Sequence, residues 1–81
     1  MPKNNKKRME ECKVAGMEIF DQLESRGIEV VGCGVGWADD GSDFVVKMWI
    51  HVNEEKKGHD LPANNKGFQI NYEYSDYPKF A

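Results

Sequence analysis

The sequence predicts an α+β domain in which an N-terminal helix packs on one face of a three-stranded antiparallel sheet, and three patterns predict it. Met9, Cys12, Gly16, Ile19, Phe20 and Leu23 recur at three- and four-residue steps, which draws one apolar stripe along a helix. Residues 28–38 and 43–53 are two β-rich runs on either side of Asp39-Asp40-Gly41-Ser42, and an Asp-Gly pair between such runs signals a hairpin. Residues 67–74 alternate: Phe68, Ile70, Tyr72 and Tyr74 point one way, Gln69, Asn71 and Glu73 the other, as in a half-buried third strand.

The helix is expected from about Asn5 to Arg26, with Lys13, Glu18, Asp21, Gln22 and Arg26 largely outside the stripe. Gly27 supplies its stop, because glycine accepts the left-handed conformation just past a helix end. Gly16 lies within the stripe, where glycine weakens a helix by ~1 kcal/mol relative to alanine. Close approach of the helix to the sheet is the expected compensation.

A two-residue turn at Asp40-Gly41 pairs residues whose numbers sum to 81. That register sets Trp37 opposite Phe44, Val35 opposite Val46, Cys33 opposite Met48 and Val31 opposite Ile50. Every such pair is apolar and all share one face, so a one-residue slip would mix the faces. This face is expected to receive the helix. The other face pairs Gly36 with Val45, Gly34 with Lys47, Gly32 with Trp49 and Val30 with His51. Three alternate glycines strip side chains from one strand and leave a shallow trough, an arrangement that weakens a strand unless something packs there. Trp49 either folds over Gly32 within one monomer or stands as an apolar anchor beside Val45.

Residues 53–66 read as a polar connection anchored by Leu61-Pro62. The 81 residues are expected to form a single domain, with 1–5 a flexible basic arm and 75–81 an irregular tail in which Tyr77 and Phe80 are packing anchors. No apolar run approaches the ~18 residues of a membrane span and no secretory leader is visible, so a cytoplasmic protein with no membrane contact is expected. Cys12 and Cys33 match neither a disulfide framework nor a zinc spacing and are expected to be reduced, buried apolar residues; whether they pair is left open. The net charge is −3, yet Lys3, Lys6, Lys7 and Arg8 make the start basic. An acidic body argues against general nucleic-acid binding, which draws most of its affinity from phosphate neutralisation.

The run Val30-Val31-Gly32-Cys33-Gly34-Val35-Gly36-Trp37 resembles the V-V-G-V-G-V-G-aromatic pattern of small bacterial proteins and of short modules that precede some trypsin-like peptidase domains. The resemblance continues through Phe44 to Val52, Leu61-Pro62 and Gly67-Phe68-Gln69-Ile70, where such modules tend to show G-V-P-V. It implies a β-hairpin scaffold and no activity, since catalysis in those proteins belongs to a downstream domain absent from this sequence.

No catalytic, cofactor-binding or metal site is expected. Gly32, Gly34 and Gly36 are followed by a strand, so no helix N-terminus is there to receive a phosphate. Asp39, Asp40 and Asp43 lack the spacing of a calcium loop and suit a tight turn. His51 and His59 have no ligand or nucleophile at a telling distance, and no serine sits in an elbow motif. What remains is a small non-enzymatic interaction module, self-associating or binding a protein partner through Gly32, Gly34, Gly36, Val45, Lys47, Trp49 and His51. The alternatives are single-stranded nucleic-acid contact through the basic arm, or a small ligand-binding or enzymatic domain with no readable site.

Overall fold

A computed structural model describes residues 5–76. They form α1 (Asn5–Ser25), β1 (Val30–Trp37), β2 (Phe44–His51), a short 3-10 helix (Val52–Lys57), β3 (Asn64–Asn65) and β4 (Phe68–Ser75). Of the expected arm and tail, residues 1–4 and 77–81 lie outside the described residues, Tyr77 and Phe80 among them.

The helix ends as its sequence dictates. Gly27 takes φ +78° and the Ile28 N–H reaches back to the Leu23 carbonyl at 3.0 Å, which closes the last turn. The stripe is the core side: Cys12, Ala15, Ile19 and Leu23 are buried, with Met9 and Phe20 packed at its margin. At Gly16 the backbone comes so near the sheet that a methyl there would lie 3.3 Å from Val46 Cγ1. The helix therefore lies over β1 and β2 at van der Waals distance.

The hairpin adopts the expected register from Trp37/Phe44 to Gly32/Trp49. Its loop is longer than the two-residue turn expected: Ala38 N–H bonds the Asp43 carbonyl, the Gly41 N–H closes onto Ala38, and Asp40 accepts the Ser42 N–H. Both loops centre on the same point, so the pairing is unchanged. One pair is corrected. A bulge at Val31 sets Val30, not Val31, opposite Ile50, and Val30 packs against the core. Val30 and Val31 are chemically interchangeable, so the apolar pattern is satisfied either way. The bulge additionally lets the Glu29 carbonyl accept the His51 N–H at 3.1 Å. Trp37, expected in the core, is 48% exposed at the hairpin's end and stacks on Phe44 with ring centroids 4.4 Å apart.

The larger correction concerns the sheet, which has four strands and is mixed, in the order β1-β2-β4-β3, rather than three antiparallel strands. β4 runs parallel to β2, with Val46 beside Ile70 and Met48 beside Tyr72. Alternation along β4 is as expected through Tyr72, since Phe68 and Ile70 are buried and Tyr72 packs on the core, but Tyr74, expected on the same side, is 37% exposed and Ser75 is buried; alternation is in any case blind to strand direction. Direction follows from the connection. Residues 52–67 are long enough for the crossover that parallel neighbours require. β3 and β4 then form a tight hairpin in which Lys66 and Gly67 both have positive φ, the conformation of a two-residue primed turn.

Polar contacts pin the crossover. Glu54, 4% exposed, accepts the Glu29 N–H at 3.1 Å and lies 2.8 Å from His59 Nε2 and 3.3 Å from Lys57 Nζ. These contacts, the His59 hydrogen bond foremost, hold its carboxyl at a pKa of about 2. The Tyr72 hydroxyl donates to the Pro62 carbonyl at 2.6 Å, and Leu61 packs on the core. Asn65 Nδ2 donates to the Ala15 carbonyl at 3.1 Å, which ties β3 to the helix.

Two consequences are measurable. Gly16→Leu destabilises by about 1–3 kcal/mol, as expected of a side chain forced into a packed contact; a urea midpoint equal to wild type would show that the helix does not approach Val46. Because the Glu54 carboxyl titrates lower in the folded than in the unfolded chain, its stabilisation is complete above about pH 4.5 and is lost as pH falls toward 2. The melting temperature of wild type should accordingly fall more steeply over that window than that of Glu54→Gln. Parallel curves would remove Glu54 from the acid response.

Candidate interaction surface

The phase of the β1–β2 ladder decides what each residue of β1 offers. Ala38 and Asp43 form a hydrogen-bonded pair, and bonded and non-bonded pairs alternate in an antiparallel ladder. Gly36, Gly34 and Gly32 thus turn their backbone groups toward β2, whereas Cys33, Val35 and Trp37 turn theirs outward. β1 is at the end of the sheet, so those outward groups meet no strand among the described residues.

The helix and crossover cover the Val46 side of the sheet. The opposite face brings Gly32, Gly34, Gly36, Lys47 and Trp49 together with Asn71 and Glu73 of β4, as the sequence pairing required for β1 and β2. Its relief differs from an empty trough. Lys47 lies across Gly36, where an added methyl would come within 2.6 Å of its Cε and 3.3 Å of its Cγ, so the glycine leaves room for the lysine stem. The half-buried Trp49 directs its indole N–H to Glu73 Oε2 at 2.6 Å, away from β1 and onto β4. Gly32 is buried and Gly34 half-buried.

Two of the expected contact residues serve elsewhere. Val45 was expected to be exposed beside Trp49; it is 2% exposed, buried on the face away from the helix and outside the core cluster around Val46. His51 caps the 3-10 helix, its Nδ1 accepting the Asn53 N–H at 3.1 Å. The face that remains accessible is Lys47, Trp49 and the glycine backbone between them.

The basic arm is also reassigned in part. Arg8 Nη2 and Nε grip Asp43 Oδ2 and Oδ1 at 2.6 and 3.0 Å, and its guanidinium lies 3.9 Å over the Phe68 ring. This fork joins helix, hairpin loop and β4, and it lowers the Asp43 carboxyl.

A second concavity lies between α1 and the outer side of β1. This cleft of about 420 Å³ is lined by Met9, Lys13, Gly16 and Met17 from the helix and by residues 33–37 of β1 with Phe44. Met17 and Trp37, 63% and 48% exposed, stand at its rim. Cys33 and Cys12 are free thiols, and burial pushes both pKa values up, Cys12 to about 11. Thiols so shifted are poor nucleophiles at neutral pH. Neither the cleft nor the Lys66–Gly67 turn was legible from spacing; a Lys-Gly pair ahead of an alternating run was the available cue for the latter.

Since Val45 and Val46 are buried alike on opposite faces, Val45→Ala and Val46→Ala should each cost about 2 kcal/mol in urea melts. A much smaller loss at Val45 would show that its face is open there. No helix among the described residues is long and apolar enough to cross a membrane. Comparison with family models, characterised proteins and solved structures finds no match to this chain.

Proposed function

We propose that this chain is a small, cytoplasmic, non-enzymatic interaction module that binds protein, another copy of itself or a different chain, through the glycine-bearing side of its sheet. The supporting observation is the one-sided layering: the helix, Leu61 and Tyr72 gather over Val46, and the opposite side carries Lys47 and Trp49 beside the half-buried Gly34. A glycine at position 34 lets a partner's side chain approach the strand itself. The half-exposed indole supplies the apolar anchor that interfaces favour. The likeness of residues 30–37 to hairpin modules joined to peptidase domains fits a scaffold without activity of its own.

Nucleic-acid contact through the arm is the weaker reading, because Arg8 is committed to Asp43 and Phe68. Trp49→Ala tests the interaction. It removes the hydrogen bond to Glu73 and the packing of a half-buried indole that lies outside the core cluster, so the fold and its cooperative melt should survive. Partner capture by the tagged protein from native lysate should be lost. Equal capture by wild type and Trp49→Ala, or no capture and a strictly monomeric wild type, would refute the reading.

A further inference from the structure

We infer that the outer edge of β1 pairs with the same edge of a second copy, antiparallel about a twofold axis at Val35, so that the two sheets become one. This pairing rests only on the reading of the domain as a self-associating module, and it uses the strand edge rather than the glycine face. The edge itself is the first argument. β1 is eight residues long, carries no Pro, Lys or inward charge, and leaves the N–H and C=O of Cys33, Val35 and Trp37 pointing out of the sheet. Proteins ordinarily blunt such an edge. At the other end of this sheet a two-residue strand, β3, does so where β4 begins.

The register follows from what bounds the regular stretch. The bulge at Val31 ends it on one side and the turn from Asp39 on the other, leaving residues 32–38, whose centre is Val35. A twofold there pairs Val35 with Val35 and Cys33 with Trp37 of the second copy. All of these are residues with outward backbone groups, as a bonded pair demands. Sliding by two residues either way drives a partner residue into the bulge or the turn. On the opposite face the same register sets Gly34 against Gly36, where no side chain obstructs the approach.

The helices fit the same symmetry. α1 lies over β1 and β2, so a twofold at Val35 would set the two helices antiparallel on one face of the joined sheet. Between them would lie Met9 and Met17, and the half-exposed Trp37 would seat beside the second copy's cleft. The rim, Met9 and Met17 with Lys13 between them, is covered by an identical rim, which is what an isologous contact requires.

Sedimentation equilibrium from micromolar to millimolar concentration should give the dimer mass for wild type. Val35→Pro removes an N–H that faces away from β2, so it should yield a folded monomer by circular dichroism. Met17→Lys, at an exposed site, should weaken the dimer about tenfold or more, and serves if the proline variant fails to fold. Val35→Cys in a Cys33→Ala background should oxidise to a covalent dimer, since bonded antiparallel pairs hold Cα atoms about 5.5 Å apart, within disulfide reach. A monomeric wild type at millimolar concentration overturns the pairing, as does a dimer that survives both Val35→Pro and Met17→Lys without cross-linking at Val35→Cys. Trp49→Ala separates the readings. Edge pairing leaves that variant dimeric, whereas a dimer lost in Trp49→Ala and kept in Met17→Lys overturns the edge and leaves the glycine face as the contact.

Discussion

The hydrogen-bonded register between β1 and β2 is the constraint on which the other features depend. It puts Val35, Cys33, Val46 and Met48 on one side, so that the apolar stripe of α1 has a single surface to meet. It also puts the three glycines in bonded pairs, where their backbone is held by β2 although their side chains contribute nothing. The side where a helix docks and the side that bears the glycines are therefore two results of one alignment. Gly16 completes it from the other layer, since a larger residue would hold α1 off Val46 and open the core.

What was legible in the sequence was whatever periodicity alone determines. The helix bounds, the Gly27 stop, the pairing from Gly32/Trp49 to Trp37/Phe44 and the buried side of β4 follow from spacing of apolar residues and turn chemistry. Strand direction did not, because Phe68, Ile70 and Tyr72 face the core whichever way β4 runs. The bulge was hidden for a related reason: Val30 and Val31 fill the place opposite Ile50 equally well, and only the Glu29–His51 bond distinguishes them.

The candidate surface was read in outline and misjudged in relief. Pairing across the hairpin located Lys47 and Trp49 beside the glycines, yet β4 is what redirects the indole to Glu73, and β4's place was not known. Val45 sits on the open side of its strand and is nevertheless interior. Long-range polar partners were equally invisible. Arg8 and Asp43 are far apart in the chain, and Glu54 finds Glu29 only because the crossover returns past the start of β1. Such pairs leave no periodic trace, and here they commit Arg8 and the polar connection to holding the fold.

The parallel pairing of β2 with β4 has a bearing on how the chain assembles. β1 and β2 meet across one short loop, a local closure of small entropic cost, whereas β4 reaches β2 only after the whole crossover has been placed. Hairpin and helix therefore have the means to associate first, with β4 arriving last. In that interval β2 exposes a second unpaired edge made of Val46, Met48 and Ile50, residues of high strand-forming tendency. A nascent chain halted there carries two templating edges rather than one, which makes late insertion of β4 the step that separates productive folding from strand exchange between molecules.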